Sequence, residues 1–122
     1  MPVSLSVRDR DRRLARGLWL SLCLLPAAIA ARAEEPATLE VTIKDHRFAP
    51  AELRVKAGKP AFLVVTNLDS TPEEFESRQL AIEKVIAPGA KARIRIRPLA
   101  PGRYEFIGEF HKDVAQGAIL SE

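Results

Sequence analysis

From Leu39 to the C-terminus the chain keeps returning to a period of two. Leu39, Val41 and Ile43 alternate with Glu40, Thr42 and Lys44; Leu53 and Val55 alternate with Arg54 and Lys56; Ile94 and Ile96 alternate with Arg93, Arg95 and Arg97. Tyr104 and Phe106 share one face of a further stretch, with Glu105 on the other. Successive side chains of a strand point to opposite sides, so each stretch predicts a strand with one face on a core. Ala61–Val65 is apolar without a break and is expected to be a strand covered on both sides. Turn residues punctuate the chain at Ala57-Gly58-Lys59-Pro60, Asn67 to Pro72, Pro88-Gly89 and Pro101-Gly102. Short strands between such turns predict an all-β sandwich of about six or seven strands. Its expected core is Phe48, Phe62, Val64, Phe75, Ile94, Tyr104 and Phe106. No stretch carries a convincing apolar stripe at helical spacing, although Glu73 to Glu83 has room for a helical turn.

The first third follows another pattern. Arg8, Arg10, Arg12, Arg13 and Arg16 precede an uncharged stretch from Gly17 to Ala31, and Ala31-Arg32-Ala33 then leads into Glu34-Glu35. A basic start, a short apolar run and an Ala-x-Ala site predict a signal peptide over residues 1–33, cleaved after Ala33. A membrane anchor needs about 20 apolar residues, more than this run supplies. The expected location is the periplasm, with Sec or twin-arginine export both open. Cleavage reverses the charge. The whole chain has 19 basic and 16 acidic residues; removing the six basic and two acidic residues of 1–33 leaves 13 and 14. The pI near 9.4 therefore belongs to the removed segment, and nucleic acid is not an expected partner. Cys23, the one cysteine, leaves with it, so residues 34–122 offer no disulfide and no thiolate.

Within 34–122, Phe48-x-Pro50-x-Glu52-Leu53-x-Val55-x-Ala57-Gly58 and the apolar strand ending at Asn67-x-Asp69 resemble the front half of cupredoxins, as Pro101-Gly102-x-Tyr104-x-Phe106 resembles their strand into the metal loop. More narrowly, Glu74-Phe75-Glu76 and Glu83-Lys84-x-Ile86-Ala87-Pro88-Gly89 are similar to the cupredoxin-like domain of periplasmic iron-uptake proteins of the EfeO type. The resemblance implies a Greek-key β-sandwich over 34–122. A blue-copper centre takes two histidines, a cysteine and a weak axial methionine. Laid on that pattern, the cysteine falls on Gly108, the upstream histidine on Glu73 and the methionine within Val114 to Gln116, while His111 is retained. A type-1 copper carrier is thereby excluded.

The resemblance also implies that Glu73-Glu74-x-Glu76, read as a loop after the apolar strand, meets Glu109-x-His111-x-Asp113 at one pole. Crowded carboxylates repel unless a cation neutralises them. Carboxylates with one imidazole suit iron in either oxidation state, Mn(II) or Cu(II), with Zn(II) open. Glu73, Glu74, Glu76 and His111 are the expected ligands, with Glu109 and Asp113 as weaker additions. The plain alternative is a solvated acidic rim softened by Arg78, Lys84 and Lys112. His46, in an early turn, has no partner visible in the sequence. Two histidines cannot make a three-histidine centre, and no nucleophile triad or phosphate loop is present.

The expected function is a periplasmic metal-binding accessory protein of iron uptake, with copper as the second ion. It would serve an inner-membrane iron permease or a periplasmic iron-binding protein, and metal-ion oxidation is a lesser expectation. One alternative is a metal-free interaction module docking through Lys91, Arg93, Arg95 and Arg97; another is a domain of a copper-resistance system.

Overall fold

The computed structural model describes residues 34–122, together with positions 2, 3, 17, 27 and 28. The expected cleavage after Ala33 lies outside the described residues, as does most of the expected signal segment. Nine strands are described: β1 Ala37–Lys44, β2 Arg47–Ala49, β3 Glu52–Val55, β4 Ala61–Asn67, β5 Glu73–Ser77, β6 Ile82–Ile86, β7 Lys91–Ile96, β8 Gly102–Gly108 and β9 Gln116–Ser121. A single 3-10 turn, Glu109–His111, follows β8. One sheet runs in the order β2-β1-β4-β7 and the other β3-β9-β8-β5-β6. Parallel pairing of β1 with β4 and of β3 with β9 links strands far apart in sequence.

The two sheets enclose Val41, Ile43, Leu63, Val65, Phe75, Ile86, Ile96, Phe106 and Ile119. Phe106 sits edge-on to Phe48, with ring centroids 4.8 Å apart and planes at 90°, and lies 4.9 Å from Phe75. Gly117 on β9 makes room for that ring, since a Cβ there would come within 2.4 Å of it.

Three expectations need correction. The strands number nine rather than six or seven, because β2, β5, β6 and β9 carry charged or small residues that break the apolar alternation. The stretch from Glu73 to Glu83 is not helical but the β5–β6 hairpin, with Phe75 facing Lys84 and Ser77 facing Ile82. Finally, β4 has one buried face only, Leu63 and Val65, while Phe62 and Val64 are half-buried on the other. What covers that outer face is not a second layer but β7, whose Arg95 and Arg93 pair across from Phe62 and Val64. The Arg93 guanidinium lies 3.7 Å from the centre of the Phe62 ring, a cation–π contact that shields the ring while the charge stays wet. Arg97 donates to the carbonyls of Gln79 and Leu80 and so ties the β5–β6 turn to β7. Two members of the basic ladder thus have structural partners.

The aromatic cluster holds both sheets, so Phe106→Ala is expected to cost about 3–5 kcal/mol in urea unfolding.

Candidate metal centre

Four segments meet at one pole of the sandwich. Because β1 and β4 run parallel, the turn after β1 and the loop after β4 lie side by side; Leu68 N–H donates to the Ile43 carbonyl at 2.8 Å. The turn after β1 has only two residues, Asp45 and His46, between the paired Lys44 and Arg47. Both have positive φ, 52° and 60°, as a tight hairpin of this hand requires. Aspartate and histidine tolerate that region better than most side chains. The Asp69 carboxylate accepts from both turn amides, Asp45 N–H at 2.8 Å and His46 N–H at 3.0 Å. Asp69 is itself held by Asn67, whose Oδ1 accepts from its amide at 3.0 Å. The buried Asn67 amide also donates to the carbonyls of Thr71 and Ile86. His46 is thus presented by a chain of hydrogen bonds that begins in β4.

His111 comes from the opposite sheet. The loop after β8 is closed by Gly108 N–H to the Ala115 carbonyl at 2.9 Å and by Ala115 N–H to the His111 carbonyl at 2.8 Å. Glu73, the first residue of β5, points inward by strand alternation and is only 1% exposed. Its Oε1 accepts from the amides of Phe110 at 3.0 Å and Glu74 at 3.1 Å. Its Oε2 lies 2.6 Å from His111 Nδ1. The His46 and His111 rings stack, with centroids 3.6 Å apart and planes 12° from parallel.

One donor atom from each of His46, Glu73 and His111 lies within 4.8 Å of the others. Nδ1 of His46 is the one buried side-chain polar atom among the described residues with no hydrogen-bond partner. Asp69 Oδ2 stands 3.5 Å away, too far for a good hydrogen bond. A buried polar atom without a partner is costly, and a missing ion or water is a standard account of one. The donor set fits an ion held by two nitrogens and one oxygen; it does not fit the sulfur-bound copper of a blue-copper centre.

The expected ligands therefore separate. Glu73 and His111 come together, and Glu74 and Glu76 fall on the outer face of β5 because Glu73-Glu74-x-Glu76 is a strand and not a loop. Glu76 is paired with Glu109, and Arg78 lies 3.7 Å from it. That partnership, a hydrogen bond from the Glu109 side chain first, then burial and the Glu109 charge, lifts the Glu76 carboxyl above its usual range. Asp113 is exposed beyond the 3-10 turn. His46 is the residue that sequence reasoning left without a role; Asp45-His46 between two strand-like stretches was a two-residue-turn signal, but its proximity to His111 comes from tertiary pairing.

Comparison with known proteins agrees with this architecture. The model of the cupredoxin-like domain matches residues 14–120. The chain belongs to the cupredoxin-like domain family. Over 82 residues it is 44% identical to Uncharacterized protein RP394 of Rickettsia prowazekii (strain Madrid E), covering 67% of this chain and 66%, just under two thirds, of that protein. In structure it is similar to the metal-binding domain of the Cu(I)-exporting P-type ATPase CopA of Streptococcus pneumoniae D39. That likeness has a TM-score of 0.65 and 18% identity over 74% of this chain and 90% of that one. Auracyanin A, a blue copper protein of Chloroflexus aurantiacus, gives a TM-score of 0.62 and 15% identity over 72% of this chain and 100% of that one. At such identities the likeness is one of fold.

The two turn amides hold the Asp69 carboxyl below its usual range, His46 N–H contributing most, against a smaller opposing effect of burial. A depressed carboxyl contributes stability that is present above the ordinary aspartate range and lost as pH falls through the depressed value. Asp69→Asn is accordingly expected to be less stable than wild type by about 1 kcal/mol at neutral pH. The gap should close as pH falls through and below the ordinary aspartate range, as read by urea unfolding across a pH series.

Proposed function

We propose that this cupredoxin-like chain is an exported metal-binding accessory protein of iron uptake, with copper as the second ion, and that it holds the ion at His46, Glu73 and His111. The observation that supports this most is the trio itself: one donor atom from each residue lies within 4.8 Å of the others, the Glu73 carboxylate is buried, and His46 keeps a buried Nδ1 with no hydrogen-bond partner. Two imidazoles and one carboxylate form the donor set that non-haem Fe(II) centres use, and Cu(II) and Zn(II) also accept it. A soft ion such as Cu(I) prefers sulfur, and residues 34–122 contain neither Cys nor Met. A bound ion would supply a positive charge that offsets the buried Glu73 carboxylate.

The chain's own contribution is to hold and to expose. Glu73 is fixed from three sides, whereas the side chains of His46 and His111 are 40% and 28% exposed. An ion held there lies at the surface of the pole, where a partner can reach it. That suits capture in the periplasm and delivery to an inner-membrane iron permease or a periplasmic iron-binding protein. The ligands must shed protons to bind a cation, so affinity is expected to weaken in acid.

Calorimetric titration of residues 34–122 with Fe(II), Fe(III) and Cu(II) tests the reading. One ion per chain is expected. His46→Ala and Glu73→Gln should each weaken binding by roughly 100-fold, while Glu74→Ala and Asp113→Ala change it little. A wild-type protein that takes up none of the three ions would end the metal reading and leave docking through the basic strand. Expression of the full chain with N-terminal sequencing of the exported product tests cleavage; a mature end at Glu34 is expected.

A further inference from the structure

Gly108 is not a glycine for the sake of its backbone. Its φ of −91° and ψ of 105° are extended values open to any residue. The constraint is space. A Cβ at 108 would stand 2.7 Å from Cδ and 2.9 Å from Oε1 of Glu73, and 2.7 Å from the Ala115 Cβ. Real Cβ atoms essentially never approach so closely, so something would have to shift. Glu73 has little freedom to do so. Its Oε1 is committed to the amides of Phe110 and Glu74, its Oε2 to His111, and the residue is buried.

We propose that the Glu73 carboxylate and any side chain at position 108 compete for one volume, so that a carboxylate ligand from β5 requires the glycine at the end of β8 and Gly108 determines the oxygen-bearing character of the centre. Position 108 ends the strand that leads into the His111 turn. Glu73 fills the volume that a side chain there would need. Exchanging oxygen for sulfur at this pole therefore requires two linked changes. Of the two Glu73 oxygens Oε2 has the fewer contacts, His111 alone against two amides on Oε1, and is the one an ion would meet. The consequence for ion choice rests on the proposed metal function; the shared volume does not.

The two can be tested apart. Thermal unfolding in the presence of a chelator is measured for Gly108→Ala, Glu73→Ala and the double variant. Ala115→Gly is present throughout to remove the third close contact. Gly108→Ala is expected to lower Tm by about 5–15 °C when Glu73 is present and by less than half as much when it is alanine. If Gly108→Ala does not fold with Glu73 in place, recovery of a cooperative transition in the double variant is the equivalent result. Equal losses in both backgrounds overturn the shared volume. In a second arm, Gly108→Cys and Glu73→Ala/Gly108→Cys are titrated with Cu(II) and read by visible absorption. The intense band of a thiolate–copper bond is expected only in the double variant; the same band in Gly108→Cys with Glu73 intact overturns the proposal. Coupled stabilities in a wild type that binds no ion would sink the metal function and leave the shared volume standing.

Discussion

The pole of this sandwich is organised around one buried carboxylate. Placing Glu73 at the inward-facing first position of β5 removes an acid from water, which costs several kcal/mol unless its oxygens find donors. They find three: the amides of Phe110 and Glu74 and the His111 imidazole. Each donor comes with a structural demand. The Phe110 amide requires the 3-10 turn after β8, His111 requires that turn's closure by Ala115, and the carboxylate's volume requires a glycine at 108. Removing one partner of such a buried set commonly costs about 3–5 kcal/mol, so the three demands hold one another in place.

On the other side of the pole the same logic runs through amide hydrogens rather than a buried charge. A two-residue turn with positive φ at both positions is strained for residues other than glycine, by about 1 kcal/mol or more each. Asp69 offsets that strain by accepting both turn amides, and Asn67 positions Asp69 while bridging to the carbonyls of Thr71 and Ile86. The buried asparagine is therefore a junction between the β4–β5 loop, the end of β6 and the turn that carries His46. Local strain, polar burial and site geometry are parts of a single arrangement.

Much of the fold was legible because β1, β3, β7 and β8 alternate cleanly, and the residues resembling cupredoxins lie on or beside those strands. The β5–β6 hairpin was not, although Glu73, Phe75 and Ser77 obey the same period. Two of its three inward residues are polar, so an apolar template passes over it. Phe62 and Val64 misled in the opposite sense: an unbroken apolar run does not say whether its second face meets another layer or merely the stems of arginines. At the site, Glu73 and His111 could be placed by matching a known pattern. His46 could not, because its neighbours Asp69 and His111 lie 23 and 65 positions away and are brought near by β1–β4 pairing and sheet packing, neither of which leaves a local trace.

The stacked imidazoles bear on how such a centre would respond to an ion. Imidazole lone pairs lie in the ring plane, and these planes are 12° from parallel with centroids 3.6 Å apart. Two nearly parallel planes do not converge on one point, so the rings must tilt for both to face a common ion with Glu73. Freedom to tilt is unevenly distributed. Glu73 is locked by amides and buried, whereas both imidazoles are partly in solvent, and His46 leaves its Nδ1 without a hydrogen bond to break. A fixed oxygen with two adjustable nitrogens favours an ion tolerant of geometry and exchanged readily at the surface. That is the behaviour useful in a carrier that must release what it holds, and it differs from the closed shell of a structural metal.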